Sequence, residues 1–219
     1  MMLRAVTLDV IAGVVLVVAW YFGFRRCNRR KATDILSWVE LAFHGHGRVA
    51  SVHWLTASSF CVRLRLSPAI FRRASLVIRL LPREMPLRWL LGRVRGQQET
   101  LTFQADLDSP PSFDLEVHNH RWYGRTRRKS PQKSQDWTLQ PVGPFVLTTR
   151  NDWQREITTM MGALVASREC DCSLVSFRRC SPHFSVTVPL ATIAPNSQTQ
   201  IEIFDVLREL AAGASTARF

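Results

Sequence analysis

The sequence lacks every short signature that would name a reaction. It contains no GxSxG nucleophile elbow, no GxxxxGKS/T phosphate loop, no GxGxxG after a strand, no HExxH helix and no kinase-like signature. Serine, histidine and aspartate are present, but no spacing singles out a nucleophile with its base. The sequence therefore favours a binding or scaffolding module that is not an enzyme and carries no cofactor.

Cysteine is also scarce, since the 219 residues contain five. An odd and small number of thiols excludes a disulfide scaffold and suits a reducing compartment. The one group that resembles a metal site is Cys170, Cys172, Cys180 and His183, because thiolate and imidazole are ligands of tetrahedral zinc. The spacing is not the paired CxxC of a zinc knuckle, so buried or edge cysteines around a hairpin are the favoured explanation. A metal-dependent enzyme is the weaker alternative function.

Excess charge is absent from most of the chain. Residues 1–24 and residues 96–219 each sum to a net charge of zero, so the whole excess of +12 lies in residues 25–95. Of the 29 basic residues only Lys31, Lys129 and Lys133 are lysines. Arginine suits phosphate and carboxylate binding through its planar fork. A GC-rich genome produces the same bias without selection for binding, and both explanations stay open.

One long apolar run dominates the N-terminus. Residues 5–24 include a single charged side chain, Asp9, and a helix of this length spans roughly 30 Å of hydrocarbon. Trp20, Tyr21 and Phe22 gather at one end, where aromatic rings favour the headgroup zone. A cleaved signal peptide would instead end in small residues, whereas this run ends in Phe24 and arginines. The run predicts an uncleaved transmembrane helix that follows a short external N-terminus, residues 1–4.

A basic collar follows the run directly at residues 25–31. It contains five cations: Arg25, Arg26, Arg29, Arg30 and Lys31. Because positive charge is retained on the cytoplasmic side, the collar predicts a single-pass protein of the cell membrane with its N-terminus outside and residues 25–219 in the cytoplasm. The same cations are expected to contact anionic lipid.

The remaining residues predict an α+β fold of antiparallel strands with about three helices. Thr33 and Asp34 are suited to cap a helix, and Pro82 and Pro86 precede a short helix at 86–93. Alternating apolar residues predict half-buried strands, with Trp38 and Trp54 in the core. The predicted strands lie at 52–54, 60–66, 74–81, 99–107, 112–118, 145–149, 172–178 and 183–190, and further helices at 152–167 and 201–212.

These elements suggest two α+β halves, residues 32–118 and 145–219. A helix followed by two strands occurs at 33–67 and again at 152–190, which suggests an α-β-β repeat. The early strands carry arginines on their polar face, while the later ones carry Asp106, Asp114 and Glu116. Opposite-charge pairing between adjacent strands is the expected consequence.

Residues 119–144 between the halves lose apolar periodicity and read as a basic loop or linker. The loop combines aromatic rings with five cations that could bind anions: Arg121, Arg125, Arg127, Arg128 and Lys129. Nucleic acid and anionic lipid are both chemically suitable partners, and a solvated loop explains the composition as well. The sequence thus leads to a membrane-anchored cytoplasmic module with an unidentified protein partner, and a membrane-tethered binder of nucleic acid or anionic lipid is the alternative.

Overall fold

A computed structural model describes residues 2–67, 70–119, 137–142, 145–150, 172–192 and 204–212. It confirms the α+β class, with a long apolar N-terminal helix followed by an antiparallel sheet. The helices are α1 (Met2–Ala42), α2 (Pro86–Val94) and α3 (204–212). The strands are β1 (Gly47–Thr56), β2 (Ser59–Leu66), β3 (Phe71–Arg79), β4 (Thr100–Leu107), β5 (Leu115–Asn119), β6 (Trp137–Val142), β7 (Phe145–Arg150), β8 (Leu174–Phe177) and β9 (Phe184–Pro189).

The first helix does not stop at the basic collar. α1 continues without a break for 41 residues, so the expected new helix start at Thr33 and Asp34 is wrong. The Thr33 hydroxyl donates hydrogen bonds back to the carbonyl oxygens of Arg29 and Arg30 instead of capping a new helix. Arginine and lysine are good helix formers, and a threonine inside a helix can bond to preceding carbonyls.

The nine strands form one sheet in the order β1-β2-β3-β4-β9-β8-β5-β7-β6, and every neighbouring pair is antiparallel. Strand pairing joins the early and late parts of the chain, because β4 pairs with β9 and β5 pairs with both β8 and β7. The two sequence halves are therefore interleaved within the sheet. Their assignment as separate units stays a prediction.

The core lies on one face of the sheet. In β4 buried and half-buried residues alternate from Thr100 to Leu107, as the period of a strand requires when one face is covered. The later part of α1 and the whole of α3 cover this face. Their buried side chains are Ala32, Ile35, Val39 and Ala42 from α1, and Phe204, Leu207, Leu210 and Ala211 from α3.

Aromatic rings connect these layers. Phe43, which directly follows α1, stacks on Phe103 of β4 at a centroid distance of 6.3 Å and meets Phe204 of α3 edge-on at 5.3 Å. Such ring pairs stabilise a core beyond the apolar area they bury. The later part of α1 is therefore an integral part of the domain.

Two differences from the sequence prediction concern edge strands. Residues 137–142, expected within the loop, form β6, which pairs with β7 and is the last of the described strands in the sheet. Pro141 is tolerated there because an edge strand needs hydrogen bonds on one side only. Trp54 is exposed instead of buried, because β1 lies at the opposite edge, whereas Trp38 is half-buried as expected. The predicted helix at 152–167, and with it the suggested repeat, lies outside the described residues.

Candidate membrane-proximal site

The chain has one helix that is long and apolar enough to cross a membrane, judged among the described residues. Every residue from Val6 to Ala19 is exposed, although nearly all of them are apolar. A core helix of a water-soluble domain would bury such side chains against its neighbours. This part of α1 therefore has the surface of a membrane-spanning helix.

The collar follows directly on the same helix. At 3.6 residues per turn, Arg25, Arg26, Arg29 and Arg30 share one side of α1. Arg25 is half-buried and the other three are exposed. The Arg29 guanidinium lies 5.9 Å from the centre of the exposed Trp54 ring, in the geometry of a cation–π contact. The fifth residue, Lys31, points to the domain and forms an ion pair with Glu99. Four of the five predicted membrane-flanking cations thus lie on an open side of the helix.

Polar contacts fasten the opposite side of α1 to the segment between β3 and α2. Asn28 and Glu84 are both buried, and the Asn28 side-chain amide donates a hydrogen bond of 3.1 Å to the Glu84 carboxylate. About two turns earlier, the Trp20 indole Nε1 donates a hydrogen bond of 3.0 Å to the Arg83 carbonyl oxygen. Buried polar groups are stable only when they are paired, so each contact requires the other segment in place.

Glu99, just before β4, is the centre of this arrangement. Its side chain is nearly buried, and its carboxylate pairs with Lys31 of α1 and with Arg83, 3.4 Å away. The backbone N–H of Leu81 lies 3.4 Å from the same carboxylate. Asn28, Lys31, Arg83, Glu84 and Glu99 are called the juxtamembrane junction below. The junction fixes the base of the span to the sheet by charge-assisted hydrogen bonds.

Below the junction, α2 lies against the end of the apolar run. The ring centroids of Trp20 and Trp89 are 6.4 Å apart. Between the two helices is a groove of about 530 Å³ with an almost entirely apolar lining. It is lined by Val17, Val18, Tyr21 and Phe22 of α1, by Glu84 and Met85, and by Pro86, Leu87 and Arg88 of α2.

A second set of cations occupies the face of the sheet that α1 leaves uncovered. The exposed residues of this arginine face are Arg48 of β1, Arg63 and Arg65 of β2, and Arg73 and Arg79 of β3. Arg48 lies directly opposite Arg65 in the strand register. Like charges at opposed positions destabilise a sheet, and a bound anion removes that repulsion. In the described part of the chain none of the five has a carboxylate within ion-pair distance.

The acidic residues of the later strands have partners, but not the expected ones. The Arg178 guanidinium lies 2.9 Å from the Glu116 carboxylate, and the backbone N–H of Arg179 donates to Asp114 over 2.9 Å. The Ser181 hydroxyl donates to Asp106 over 2.6 Å. These partners all belong to the connection between β8 and β9. Arg73 of β3 lies directly opposite Asp106 of β4 in the strand register, but among the described residues no ion pair joins these carboxylates to the arginines of β2 and β3.

Glu116 has the clearest electrostatic perturbation. The interaction with the His118 imidazole, whose Nε2 lies 3.6 Å from the carboxylate, and that with Arg178 lower the pKa of Glu116 below its usual range, and partial burial opposes them. Opposite charge and donated hydrogen bonds stabilise the ionised form of a carboxyl group. Glu116 and its neighbours therefore form a structural charge cluster of the sheet.

The remaining predicted site residues are separated or lie outside the described residues. Cys172 is buried in the core, whereas Cys180 is exposed, and His183 accepts a hydrogen bond from the backbone N–H of Leu107. Within the described ranges no three His, Cys, Asp or Glu side chains are placed to hold a metal ion. Cys170 lies outside those ranges, as do Arg121, Arg125, Arg127, Arg128 and Lys129 of the predicted anion-binding loop.

Sequence reasoning missed the juxtamembrane junction. Glu84 and Glu99 are the acidic residues nearest the short helix, yet no local pattern connects them to Asn28 or Lys31 some 56 and 68 positions earlier. The one signal is compositional, because Glu84 is a lone acid in a stretch rich in arginine. Contacts of such sequence separation appear only when the fold brings α1 beside α2.

Comparisons with known proteins give little further information. No protein-family model matches the chain, and no curated protein matches it. Among solved structures it is similar to the crystal structure of the mycobacterial trehalose monomycolate transport factor A, with a TM-score of 0.39, 10% sequence identity and coverage of 70% of each chain. A likeness this weak assigns neither an activity nor a ligand to the chain.

Proposed function

We propose that the protein is a single-pass membrane protein whose α+β domain is held at the cytoplasmic face as a binding or scaffolding module without catalytic activity. The observation that carries the proposal is the continuity of α1. The same helix exposes an apolar surface over residues 6–19 and then buries Ile35 and Val39 in the domain core. A module built in this way stays at a fixed height above the bilayer.

The junction supports the same proposal. A cleaved signal peptide would leave its cleavage site in an accessible segment, but here Asn28 and Lys31 are engaged with Glu84 and Glu99 inside a continuous helix. A flexible tether would need a break in the helix after the apolar run. The domain is instead fixed to its anchor by both packing and charge.

The orientation follows from the collar. Arg25, Arg26, Arg29 and Arg30 lie on the open side of α1, where they remain with the cytoplasmic headgroups. On the opposite flank of the span, residues 1–4 contain the single cationic side chain Arg4. The imbalance supports the proposed orientation, with the N-terminus outside and the domain in the cytoplasm.

Protease accessibility of terminal tags tests this topology. In intact cells an N-terminal tag should be digested and a C-terminal tag protected, and both should be digested after the cells are opened. Exchanging the four collar arginines for glutamine should produce a mixed orientation, whereas the same exchange at Arg63, Arg65, Arg73 and Arg79 should not. Digestion of the C-terminal tag in intact cells of the unaltered protein contradicts the proposal.

A second candidate function, binding of nucleic acid, rests on the arginine face. Arg63 and Arg65 are two residues apart on β2 and therefore project from the same face of the sheet. Arg48 of β1 lies directly opposite Arg65. A row of cations without carboxylate partners in the described residues suits a phosphate backbone. The anchor would then hold nucleic acid near the membrane.

Salt titration of binding by the full-length protein in lipid nanodiscs tests this second function. Exchanging Arg63 and Arg65 for glutamine should lower the salt slope of the affinity by about two, because each lost phosphate contact removes about one released counterion. Arg178→Gln is the matched control, since its guanidinium is paired with Glu116. No retention of nucleic acid at low salt rules this function out.

A further inference from the structure

The short helix α2 carries an apolar surface that the described parts of the chain leave uncovered. Leu87, Leu90, Leu91 and Val94 follow the i, i+3, i+4, i+7 spacing of one helix face, and all four are at least half exposed, Leu87 and Val94 to 76% and 79%. At 3.6 residues per turn they form a stripe about 100° wide. These four residues are called the α2 ridge. A helix face of this kind normally packs against an apolar neighbour.

The other side of α2 is held by the protein. Trp89 lies against Trp20 of α1. Gly92 is buried, and a Cβ at this position would lie 3.1 Å from the Gln97 side chain. The ridge therefore cannot turn inward to the core, because the tertiary contacts of Trp89 and Gly92 fix which face of α2 points outward.

Position along α1 identifies what covers the ridge. The residues of α1 that line the groove beside α2 are 17–22, which lie two to seven positions before the end of the apolar run at Phe24. At 1.5 Å per residue this is about 3 to 10 Å inside the end of the span. Interfacial amphipathic helices bury their apolar face to a similar depth, about 5–10 Å into the boundary of headgroups and acyl chains.

Charge around the ridge fits the same location. Arg88 and Arg95 border the stripe on one side and Arg93 on the other, and all three are exposed. Cations that flank an apolar stripe are typical of helices that lie in an anionic membrane surface. The collar arginines of α1 begin immediately above the same level.

From these observations we propose that α2 is a second membrane contact, an interfacial helix whose Leu87, Leu90, Leu91 and Val94 insert into the leaflet in which the span ends. Acyl chains fill the apolar groove between α1 and α2, and Arg88, Arg93 and Arg95 bind headgroup phosphates. The inference rests on the membrane span of the proposed function and adds a second, peripheral contact. With two contacts joined by the junction, the tilt of the domain on the bilayer is fixed.

Site-specific photo-crosslinking to lipid tests the proposal. The full-length protein is reconstituted into vesicles of phosphatidylcholine in which about one lipid in four is phosphatidylglycerol. A photoreactive diazirine amino acid replaces Leu91. The control is the same replacement at Leu41, which is an equally exposed leucine, 63% against 53%, on the same chain. Leu41 lies seventeen residues beyond Phe24, about 25 Å above the span. Lipid adducts should form at Leu91 at least about fivefold more often than at Leu41, as expected for the acyl-chain boundary.

A third position, Val14 in the span, separates this proposal from the proposed function. Adducts at Val14 with none at Leu91 leave the anchor in place and overturn the interfacial helix. Absence of adducts at both positions overturns the span and α2 together. Crosslinks from Leu91 to a second copy of the protein, in place of lipid, identify the ridge as a contact between copies and also overturn the proposal. Urea unfolding of each variant, followed by circular dichroism, verifies that the domain is folded.

Discussion

The two parts of α1 differ in both apolar content and surroundings. From Val6 to Ala19 all sides of the helix are apolar and exposed. From Asn28 onwards only one face is buried, including Ala32, Ile35 and Val39, and exposed polar residues separate them. An uninterrupted apolar surface indicates lipid around the whole helix, whereas burial once per turn indicates a protein core on one side.

The transition between the two parts takes place without a change in backbone conformation. Trp20 already contacts Arg83 and Trp89, so the domain reaches the last turns of the span. In the turns that follow, the collar arginines lie on the side of α1 that faces away from the domain. The junction residues of α1 lie on the side that contacts it. In these turns one side of the helix therefore faces away from the domain, while the other side contacts it.

The largest effect is expected when phenylalanine is replaced by alanine at two sites, one in the domain core directly after α1 and one in the apolar part of α1. Phe43 is 2% exposed and contacts Phe103 and Phe204, whereas Phe22 is 61% exposed at the base of the span. Phe43→Ala should lower the free energy of unfolding of the domain by about 3–5 kcal/mol, through lost burial and a cavity. Urea unfolding in detergent micelles, followed by circular dichroism, measures this change.

Phe22→Ala is the matched control for this substitution. It should change the same free energy by less than about 1 kcal/mol, because its ring faces lipid in both the folded and the unfolded domain. An equal loss in the two variants would mean that the span belongs to the domain core, and the distinction between the two parts of α1 would fail.

The junction should give the second largest effect. Glu99→Ala removes the carboxylate that pairs with Lys31 and Arg83 and accepts from Leu81. Because those donors would lose a nearly buried partner, we expect a loss of about 1–3 kcal/mol in the free energy of unfolding. Glu40→Ala, at an exposed position of α1, should cost less than about 0.5 kcal/mol. Similar unfolding midpoints for the two variants would show that packing alone holds α1 to the sheet.

The sequence was sufficient for the elements that have a strong local pattern. The span followed from twenty residues with one charge, and β4 and β9 followed from alternation because the sheet buries one face only. The short helix α2 was placed within one residue of its observed end. Burial of one face makes the period of a strand or helix visible in the sequence.

The remaining features depend on contacts that are distant in sequence. Thr33 and Asp34 have the composition of a helix start, yet α1 continues because its next turns pack on the sheet and outweigh a local capping preference. The partners of Asp114 and Glu116 come from residues 178 and 179, more than sixty positions away. Strand alternation predicts which face a carboxylate occupies and not which residue lies beside it.

Acid should have a smaller effect: it should lower the free energy of unfolding of the sheet domain and leave the apolar part of α1 unchanged. The pKa of Glu116 is lowered in the folded domain, so its ionised form stabilises the fold above the unfolded pKa of about 4.5, and this contribution is lost as pH falls through the lower, folded value. Glu116→Gln should cost about 1 kcal/mol near pH 7, from lost hydrogen bonds to Arg178 and His118. The difference between the two proteins should shrink steadily below about pH 4.5.

Chemical unfolding measured from pH 7 to pH 3 checks this prediction. Glu209→Gln on α3 is the control, since Glu209 is exposed and its exchange should matter little at any pH. The apolar part of α1 should stay in the bilayer throughout, and flotation of the protein with lipid vesicles at each pH measures this. A difference between wild type and Glu116→Gln that grows towards acid would contradict the sign argued here.

The smallest expected effect concerns the position of the boundary itself. Trp20→Phe keeps an aromatic ring beside Phe24 and Trp89 but removes the indole N–H that donates to the Arg83 carbonyl oxygen. One lost hydrogen bond of this kind should lower the local stability by about 0.5–1.5 kcal/mol. Amide hydrogen exchange in vesicles should then become faster in residues 81–95, while exchange in β4 stays unchanged. Equal exchange in both proteins would place the boundary higher on α1, at Asn28, because the contact at Trp20 would then contribute nothing to holding α2.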